Sequence, residues 1–264
     1  MRTCLKMDTA TQIAEAFYNA RKRGSFLAEF PGPLPSDLTK AYAIQDCEIA
    51  LSEQVPSGWK VASIHPELQA SLGAHRLSGP VTRLIDRTDS AEEVFEVSVI
   101  AGGFAAVEAE FAFRLGRDIP AGACAEDLNA AVSAMHVAVE IAGSPLASLN
   151  DLGPVAVVSD HGNNAGLIVG PEVMNWRERP VEKLTTQVEI DGEAVGEGSA
   201  ARLQDGPFGA LTWLADHLAQ RGHSLKSGMW ISTGATTGVH RISPHQRAVV
   251  RFPKIAELKF NVIG

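Results

Sequence analysis

Ala105-Ala106-Val107-Glu108-Ala109-Glu110-Phe111-Ala112-Phe113 is the stretch whose reading decides the rest of the chain. Taken with a period of two, Val107, Ala109, Phe111 and Phe113 form one continuous apolar face. Glu108 and Glu110 then fall together on the other face, because side chains alternate along a strand. Their neighbours there, Ala106 and Ala112, are small and apolar. A strand face turned to water usually sets Lys, Thr, Ser or Arg beside its acids. Two carboxylates about 7 Å apart by strand rise, framed by alanines, leave room for an occupant above them. A divalent cation suits that space, since hard ions take carboxylate oxygens and neutralise neighbouring negative charges. The plain alternative is a half-exposed strand with two solvated glutamates, and this stretch alone does not separate the two.

The same pattern recurs around His136 to Ile141. Val137, Val139 and Ile141 alternate with His136, Ala138 and Glu140, so Glu140 is again an acid beside an alanine on a strand with an apolar reverse. If this strand lies next to the first, three carboxylates converge. They would supply three ligands of an octahedral Mg2+ or Mn2+ site and leave the remaining positions to water or substrate. Without a cation, three such acids would repel and raise one another's pKa.

Outward from this centre, the totals describe a globular protein. Its 264 residues are 45% hydrophobic and 20% charged, enough for a sizeable core. A net charge of −8 argues against nucleic acid or an anionic membrane as the main partner. No apolar run is long enough to span a bilayer, and the N-terminus does not read as a secretion signal. Three cysteines, Cys4, Cys47 and Cys124, are widely spaced without a C-x-x-C pair, which fits a reducing cytoplasmic location and no disulfide framework. The eight histidines show no zinc-protease spacing.

The first 57 residues predict a small helical arm. One helix runs from Thr9 to Lys22, capped by Asp8 or Thr9 and stopped by Gly24. A second begins at Ser36 as N-cap, with Leu38, Tyr42, Gln45 and Ile49 along one side. Three prolines in Phe30 to Pro35 forbid a helix between them. From residue 58 to 264 the texture is short strands, glycine-rich turns and few helices. Helices are expected at Pro66 to Leu72, Glu126 to Met135 and Pro207 to Gln220; Ser159 to Asn164 reads as a polar turn. Asp191-Gly192 marks a hairpin, and strands near Ala248 to Phe252 and Ala256 to Val262 close the chain. The fold class is α+β, with a mixed β-roll or sandwich core and a small N-terminal helical arm.

Val107-Glu108-Ala109-Glu110 followed by Glu140-Ile141-Ala142-Gly143-Ser144 resembles the fumarylacetoacetate hydrolase superfamily. The closer likeness is to its 2-keto-4-pentenoate hydratase and 4-oxalocrotonate decarboxylase branch. Tyr42-Ala43-Ile44-Gln45, Gly58-Trp59-Lys60-Val61, His65-Pro66, Leu72-Gly73, Gly196-Glu197-Gly198-Ser199, Trp213-Leu214-Ala215 and Thr233-Gly234-Ala235 extend it in order over most of the chain. The resemblance implies a metal site of Glu108, Glu110 and Glu140, holding Mg2+ or Mn2+. It also implies a metal-dependent lyase in aromatic meta-cleavage catabolism. Such an enzyme would hydrate 2-hydroxypenta-2,4-dienoate or decarboxylate an oxalocrotonate-like acid through a metal-stabilised enolate. A homo-oligomer is implied too, as is a possible complex with a pathway partner enzyme.

Lys60, between Trp59 and Val61, is the candidate catalytic residue, as a cation for the substrate or a desolvated proton shuttle; a lysine snorkelling from a strand edge is the plain alternative. Thr233 and Gly234 are candidates for substrate binding through a hydroxyl and a close backbone N–H, with Asn164 and Ser159 as further candidates from the polar turn. Asp160 belongs to that turn, His136 reads as a packed strand histidine, and His161, His240 and His245 read as surface residues. Two departures from the branch stand out. Arg76-Leu77-Ser78-Gly79-Pro80 is read as a loop in which an acid is commonly found and none is present. Gln204-Asp205-Gly206-Pro207 lacks the histidine that commonly precedes the proline, a place Asp205 could partly fill. Two alternatives remain: an acylpyruvate C–C hydrolase, disfavoured by the absence of an evident His/Glu pair for water, and a catalytically weak subunit that binds metal and oxo-acid.

Overall fold

The apolar face of residues 105–113 is where the two sheets of this protein meet. The structure, a computed structural model, describes residues 8–89 and 93–264, so Cys4 lies outside the described residues. In chain order the elements are α1 (Thr9–Arg23), α2 (Leu38–Ser52), β1 (Gly58–Ser63), α3 (Pro66–Leu72), β2 (Arg76–Val81), β3 (Leu84–Asp86), β4 (Val94–Ser98) and β5 (Phe104–Leu115). There follow α4 (Ala125–Ala131), β6 (Val132–Ser144), α5 (Pro154–Ser159), β7 (Asn164–Glu172), β8 (Thr185–Ile190), β9 (Glu193–Ser199) and α6 (Gly206–Gln220). Four strands finish the chain: β10 (Trp230–Ser232), β11 (His240–Arg241), β12 (Arg247–Phe252) and β13 (Ala256–Ile263).

The larger sheet runs β2-β1-β10-β5-β6-β7-β3, with β11 also paired to β5; the smaller runs β4-β13-β12-β8-β9. Val107, Ala109, Phe111 and Phe113 of β5 join Val137, Val139 and Ile141 of β6 in the main core. Val188, Val250, Phe252, Leu258 and Phe260 of the smaller sheet and Leu211, Leu214 and Leu218 of α6 complete it. Period-two alternation in both sheets thus puts apolar side chains into the interface between layers. The even residues of β5 and β6 face away from that core, among the small side chains Ala106, Ala112, Ala138 and Ala142.

A second apolar cluster forms on the N-terminal side, from Ile13 and Phe17 of α1, Tyr42 and Ile44 of α2, Leu77 of β2 and Val157 and Val158 of α5. The element following the α1–α2 pair, β1, begins at Gly58. Asp8 caps α1 by accepting from Thr11 N at 2.8 Å. At the second helix the cap is Asp37, which accepts from Lys40 N at 2.9 Å, rather than the expected Ser36; the carboxylate is the better acceptor and Ser36 bonds to it instead.

Three further expectations are corrected. The helix expected to Met135 stops at Ala131, because Val132 and Met135 are core residues of the long strand β6. The stretch Arg76 to Pro80 is no loop: it forms β2, buried along its whole length and paired antiparallel with β1. The polar turn is preceded by a short buried helix, α5, opened by Pro154 at its first turn. At the hairpin, Asp191 and Gly192 both have positive φ, 51° and 88°, as a type I′ turn requires.

Candidate metal centre and active site

Register places the acids. Glu108 of β5 stands directly opposite Glu140 of β6, and Glu110 opposite Ala138. The three carboxylates each offer an oxygen within 4.8 Å of the others. Glu110 and Glu140 are fully buried and Glu108 is 4% exposed. The acids can approach one another because their neighbours on that face, Ala106, Ala112, Ala138 and Ala142, are small.

Two of the carboxylates, Glu110 and Glu140, are held from one side and open on the other. Ser232 of β10 donates to Glu110 Oε2, and so does Gly234 N at 3.0 Å. Asn164 Nδ2 donates to Glu140 Oε1 at 2.9 Å, and Lys60 Nζ lies 3.4 Å from the same oxygen. Glu110 Oε1 and Glu140 Oε2 are buried with no hydrogen-bond partner among the described residues. Buried carboxylate oxygens are rarely left so. An all-oxygen donor set with these two unmatched atoms fits a hard divalent cation, Mg2+ or Mn2+. Burial first, then the charge of Glu140, pushes the Glu108 carboxyl up to about 8 against the pull of Lys60. Burial and both neighbouring acids push Glu110 well above the ordinary carboxylate range. This is the expected electrostatics of a cation site read without its cation.

Lys60 is almost fully buried, at 2% exposed. Burial lowers its pKa, but Glu140, Glu108 and Glu110 outweigh that and raise it, so the ammonium is the stable form. Its Nζ also donates to Asn163 Oδ1 at 3.1 Å, and Asn163 in turn donates to Asn150 Oδ1 at 3.2 Å. Asn163 carried no sequence signal of its own; only its place beside Asn164 in the polar turn could have raised it.

That turn is unusual. His161, Gly162 and Asn163 have successive positive φ of 53°, 62° and 59°, a costly conformation for non-glycine residues that persists only where the surroundings impose it. Two contacts impose it here. Arg21 of α1 places Nε 2.6 Å from Asp160 Oδ1 and bonds the carbonyls of Gly143 and Asn164 at 2.9 and 3.1 Å. Gly79 of β2 packs its bare Cα against the turn, where an added Cβ would sit 1.8 Å from the His161 carbonyl oxygen.

The remaining candidates fall in different places. Thr233 and Gly234 follow β10 and line a cavity of about 280 Å3 together with Glu108. The Thr233 hydroxyl donates to the Phe111 carbonyl at 2.7 Å, and Gly234 has φ 116°, a conformation suited to glycine. Asn164 is at the carboxylates, whereas the Ser159 hydroxyl bonds back to Val155 O at 2.8 Å within α5 and meets none of them. His136 shares the face of Glu140 but bonds Gly170 O at 2.9 Å and packs edge-on against Trp230. His161, expected at the surface, is buried, with Nε2 3.4 Å from Glu48 Oε2 of α2. The sequence showed no His/Glu pair because these two residues are far apart in the chain and meet only through packing of α2 on α5. His240 is half-buried and His245 exposed. Asp205 is exposed and lies 3.8 Å from Arg76.

No family model matches the chain. It is 29% identical over 160 residues to a 4-oxalocrotonate decarboxylase of Pseudomonas sp, 60% of each chain, and 26% identical over 234 residues to a 2-keto-4-pentenoate hydratase of Burkholderia vietnamiensis, 86% of this chain and 87% of that one. The matches to two Pseudomonas decarboxylases span 60% and 52% of those proteins' lengths. Among solved structures, 4-oxalocrotonate decarboxylase from Pseudomonas putida G7, complexed with magnesium and adipate, superimposes over the full length of both chains with a TM-score of 0.79 at 22% identity. Fumarylpyruvate hydrolase from Pseudomonas aeruginosa, in complex with Mn2+ and pyruvate, covers 78% of this chain and 88% of its own, with a TM-score of 0.55 and 15% identity. The curled pair of sheets is the fold of these solved structures, and in sequence the chain is similar to 4-oxalocrotonate decarboxylases and 2-keto-4-pentenoate hydratases.

Proposed function

We propose that the protein is a divalent-metal-dependent lyase acting on 2-oxo or 2-hydroxydienoic acids, by hydration of 2-hydroxypenta-2,4-dienoate or decarboxylation of an oxalocrotonate-like acid. The observation that carries the reading is the buried triad Glu108, Glu110 and Glu140, with Lys60 Nζ 3.4 Å from Glu140. Residues 58–264 act as the catalytic domain and residues 1–57 as an arm over it.

The chemistry that Mg2+ or Mn2+ supplies between these carboxylates is Lewis acidity toward a 2-oxo group and its developing negative charge. The residues of the chain do the rest. Glu110 is oriented by Ser232 and Gly234 N, and Glu140 by Asn164, so the ligand oxygens are fixed before anything binds. Lys60 is held as an ammonium, positioned by Asn163, and can give a proton from Nζ to a substrate atom next to Glu140. Thr233 and Gly234 form the wall of the cavity beside Glu108 and offer a small acid close backbone approach. Asn164 serves through Glu140, whereas Ser159, whose hydroxyl is bonded within α5, could reach a substrate only through the turn it leads into.

The acylpyruvate hydrolase reading is less well supported. It needs a base poised over water, and among the described residues no histidine lines the cavity beside Glu108. The His161–Glu48 pair sits behind Gly79, and burial drives the imidazole pKa well below its usual value. Among the described residues no helix is long and apolar enough to cross a membrane. The branch likeness also supports a homo-oligomer and association with a pathway partner enzyme, which light scattering of the pure protein alone and mixed with such an enzyme would test.

The functional test is direct. Protein loaded with Mg2+ or Mn2+ is mixed separately with 2-hydroxypenta-2,4-dienoate, oxalocrotonate and acetylpyruvate, and the ultraviolet absorbance of each is followed. Turnover of one of the first two is expected. Turnover of acetylpyruvate alone would replace the reading with the hydrolase one. No turnover, with metal and oxalate bound, would leave a binding subunit.

A further inference from the structure

The cavity beside Glu108 holds a second charged feature. Besides Glu108 it is lined by two arginines, Arg76 of β2 and Arg202 after β9. Arg202 is exposed. Arg76 is not: its side chain is only 6% exposed, and the carboxylate nearest to it is Asp205 at 3.8 Å, itself 69% exposed. The guanidinium is otherwise steadied by neutral partners, the Gln204 carbonyl and His75 Nε2 at 3.1 Å. A buried cation so weakly compensated is costly unless an anion completes it. Burial lowers the pKa of Arg76 and Asp205 offsets this only in part, which is the same imbalance seen from the proton's side. A planar guanidinium with fixed donors is suited to a carboxylate, which it can engage through two parallel hydrogen bonds.

The cavity therefore brings anion-binding groups and a carboxylate of the proposed cation site together within about 280 Å3. That volume suits a small acid rather than a nucleotide-sized ligand. A 2-oxo acid seated with its carboxyl and oxo oxygens toward Glu108 would share the cavity with the Arg76 guanidinium. We propose that Arg76, assisted by Arg202, binds a second carboxylate on the substrate's tail, so that the site selects dicarboxylic over monocarboxylic 2-oxo acids. This rests on the proposed function and narrows it, since a diacid is what a decarboxylase of the branch would receive and a dienoic monoacid what a hydratase would. It also gives a use to a strand that lacks the acid expected there.

The test uses two unreactive acids with the same chelating end, 2-oxoadipate and 2-oxohexanoate. Their binding to the full chain loaded with Mg2+ or Mn2+ is measured by calorimetry. 2-Oxoadipate should bind at least about tenfold more tightly, the factor expected from one charge-assisted hydrogen bond. Arg76→Gln should remove that preference while leaving 2-oxohexanoate unchanged, and Arg76→Lys should restore part of it. Equal binding of the two acids by the unaltered protein overturns the proposal and leaves the metal-dependent reading intact, as does an equal loss for both in Arg76→Gln. Binding of neither acid to the metal-loaded protein overturns that reading itself, and this proposal with it. Should Arg76→Gln fail to fold, the unaltered protein still decides, and Arg202→Gln, at an exposed residue, should narrow the preference.

Discussion

Glu108 and Glu140 face each other across neighbouring strands with an ammonium, Lys60, 3.4 Å from one of them. One cation does not balance this site, and the consequence is a pH dependence with a definite sign. The Glu108 carboxyl is raised to about 8 in the metal-free fold, mainly by burial and then by Glu140. Between its ordinary value of 4.5 and 8 the folded state therefore holds a proton that the unfolded chain has released. Stability falls with rising pH wherever the folded state binds more protons. The metal-free protein should lose melting temperature from pH 5 to pH 8. Mg2+ should restore it, by more at pH 8 than at pH 6, because the cation competes with that proton. Differential scanning fluorimetry with and without Mg2+ measures both, and a metal-induced shift unchanged across this range would contradict the site.

Removing a ligand should separate binding from folding. Glu108→Ala or Glu108→Gln takes away one carboxylate without touching the apolar core on the reverse face of β5. Metal binding should be lost by calorimetry and elemental analysis. The metal-free Glu108→Gln variant should melt slightly higher at pH 8, by about 2–4 °C if the relieved repulsion amounts to one kcal/mol in a chain of this size. Full metal occupancy in Glu108→Ala would remove Glu108 from the site.

Lys60 calls for the opposite pattern. Lys60→Met keeps the length of the side chain and removes the proton. Turnover should fall by roughly 10²–10⁴-fold, the range for a positioned acid or base, while Mn2+ still binds. Unchanged turnover with Mn2+ bound would reduce Lys60 to a charge partner of Glu140. Loss of Mn2+ would show instead that the ammonium holds the carboxylates in place.

How much of this was legible in the sequence follows from the kind of contact involved. Period-two alternation on β5 and β6 is local, so the two acidic strands and their apolar backs could be read directly. That Glu108 would face Glu140 was only a condition, because register between strands is set by pairing and not by either strand alone. Arg76 to Pro80 was misread as a loop: its glycine and proline are turn formers, yet Gly79 is there so that β2 can touch the His161 backbone. His161 looked like a surface residue because its burial depends on α1 and α2, more than a hundred residues earlier. Asn163 and Arg76 were missed for the same reason. Their partners, Lys60 and the residues 204–205, lie far away in sequence.

Arg21 and Asp160, 139 residues apart, carry the last prediction. Asp160 and Glu48 are fully buried, Arg21 lies 2.6 Å from the first and 3.8 Å from the second, and neither Glu48 carboxylate oxygen is hydrogen-bonded among the described residues. Breaking a buried pair by removing one partner leaves an uncompensated charge and typically costs about 3–5 kcal/mol. Arg21→Met should therefore lower stability to urea by that order, whereas Lys22→Ala, an exposed neighbour on the same helix, should change it by less than about 0.5 kcal/mol. Arg21→Met/Asp160→Asn should recover part of the loss, since the second change removes a stranded carboxylate. The effect should also reach the metal centre, because Arg21 secures the turn that presents Asn163 to Lys60 and Asn164 to Glu140. Weaker Mn2+ binding in Arg21→Met under conditions where it is still folded would establish that link. Unchanged Mn2+ affinity alongside the stability loss would confine Arg21 to holding α1 on the sheet.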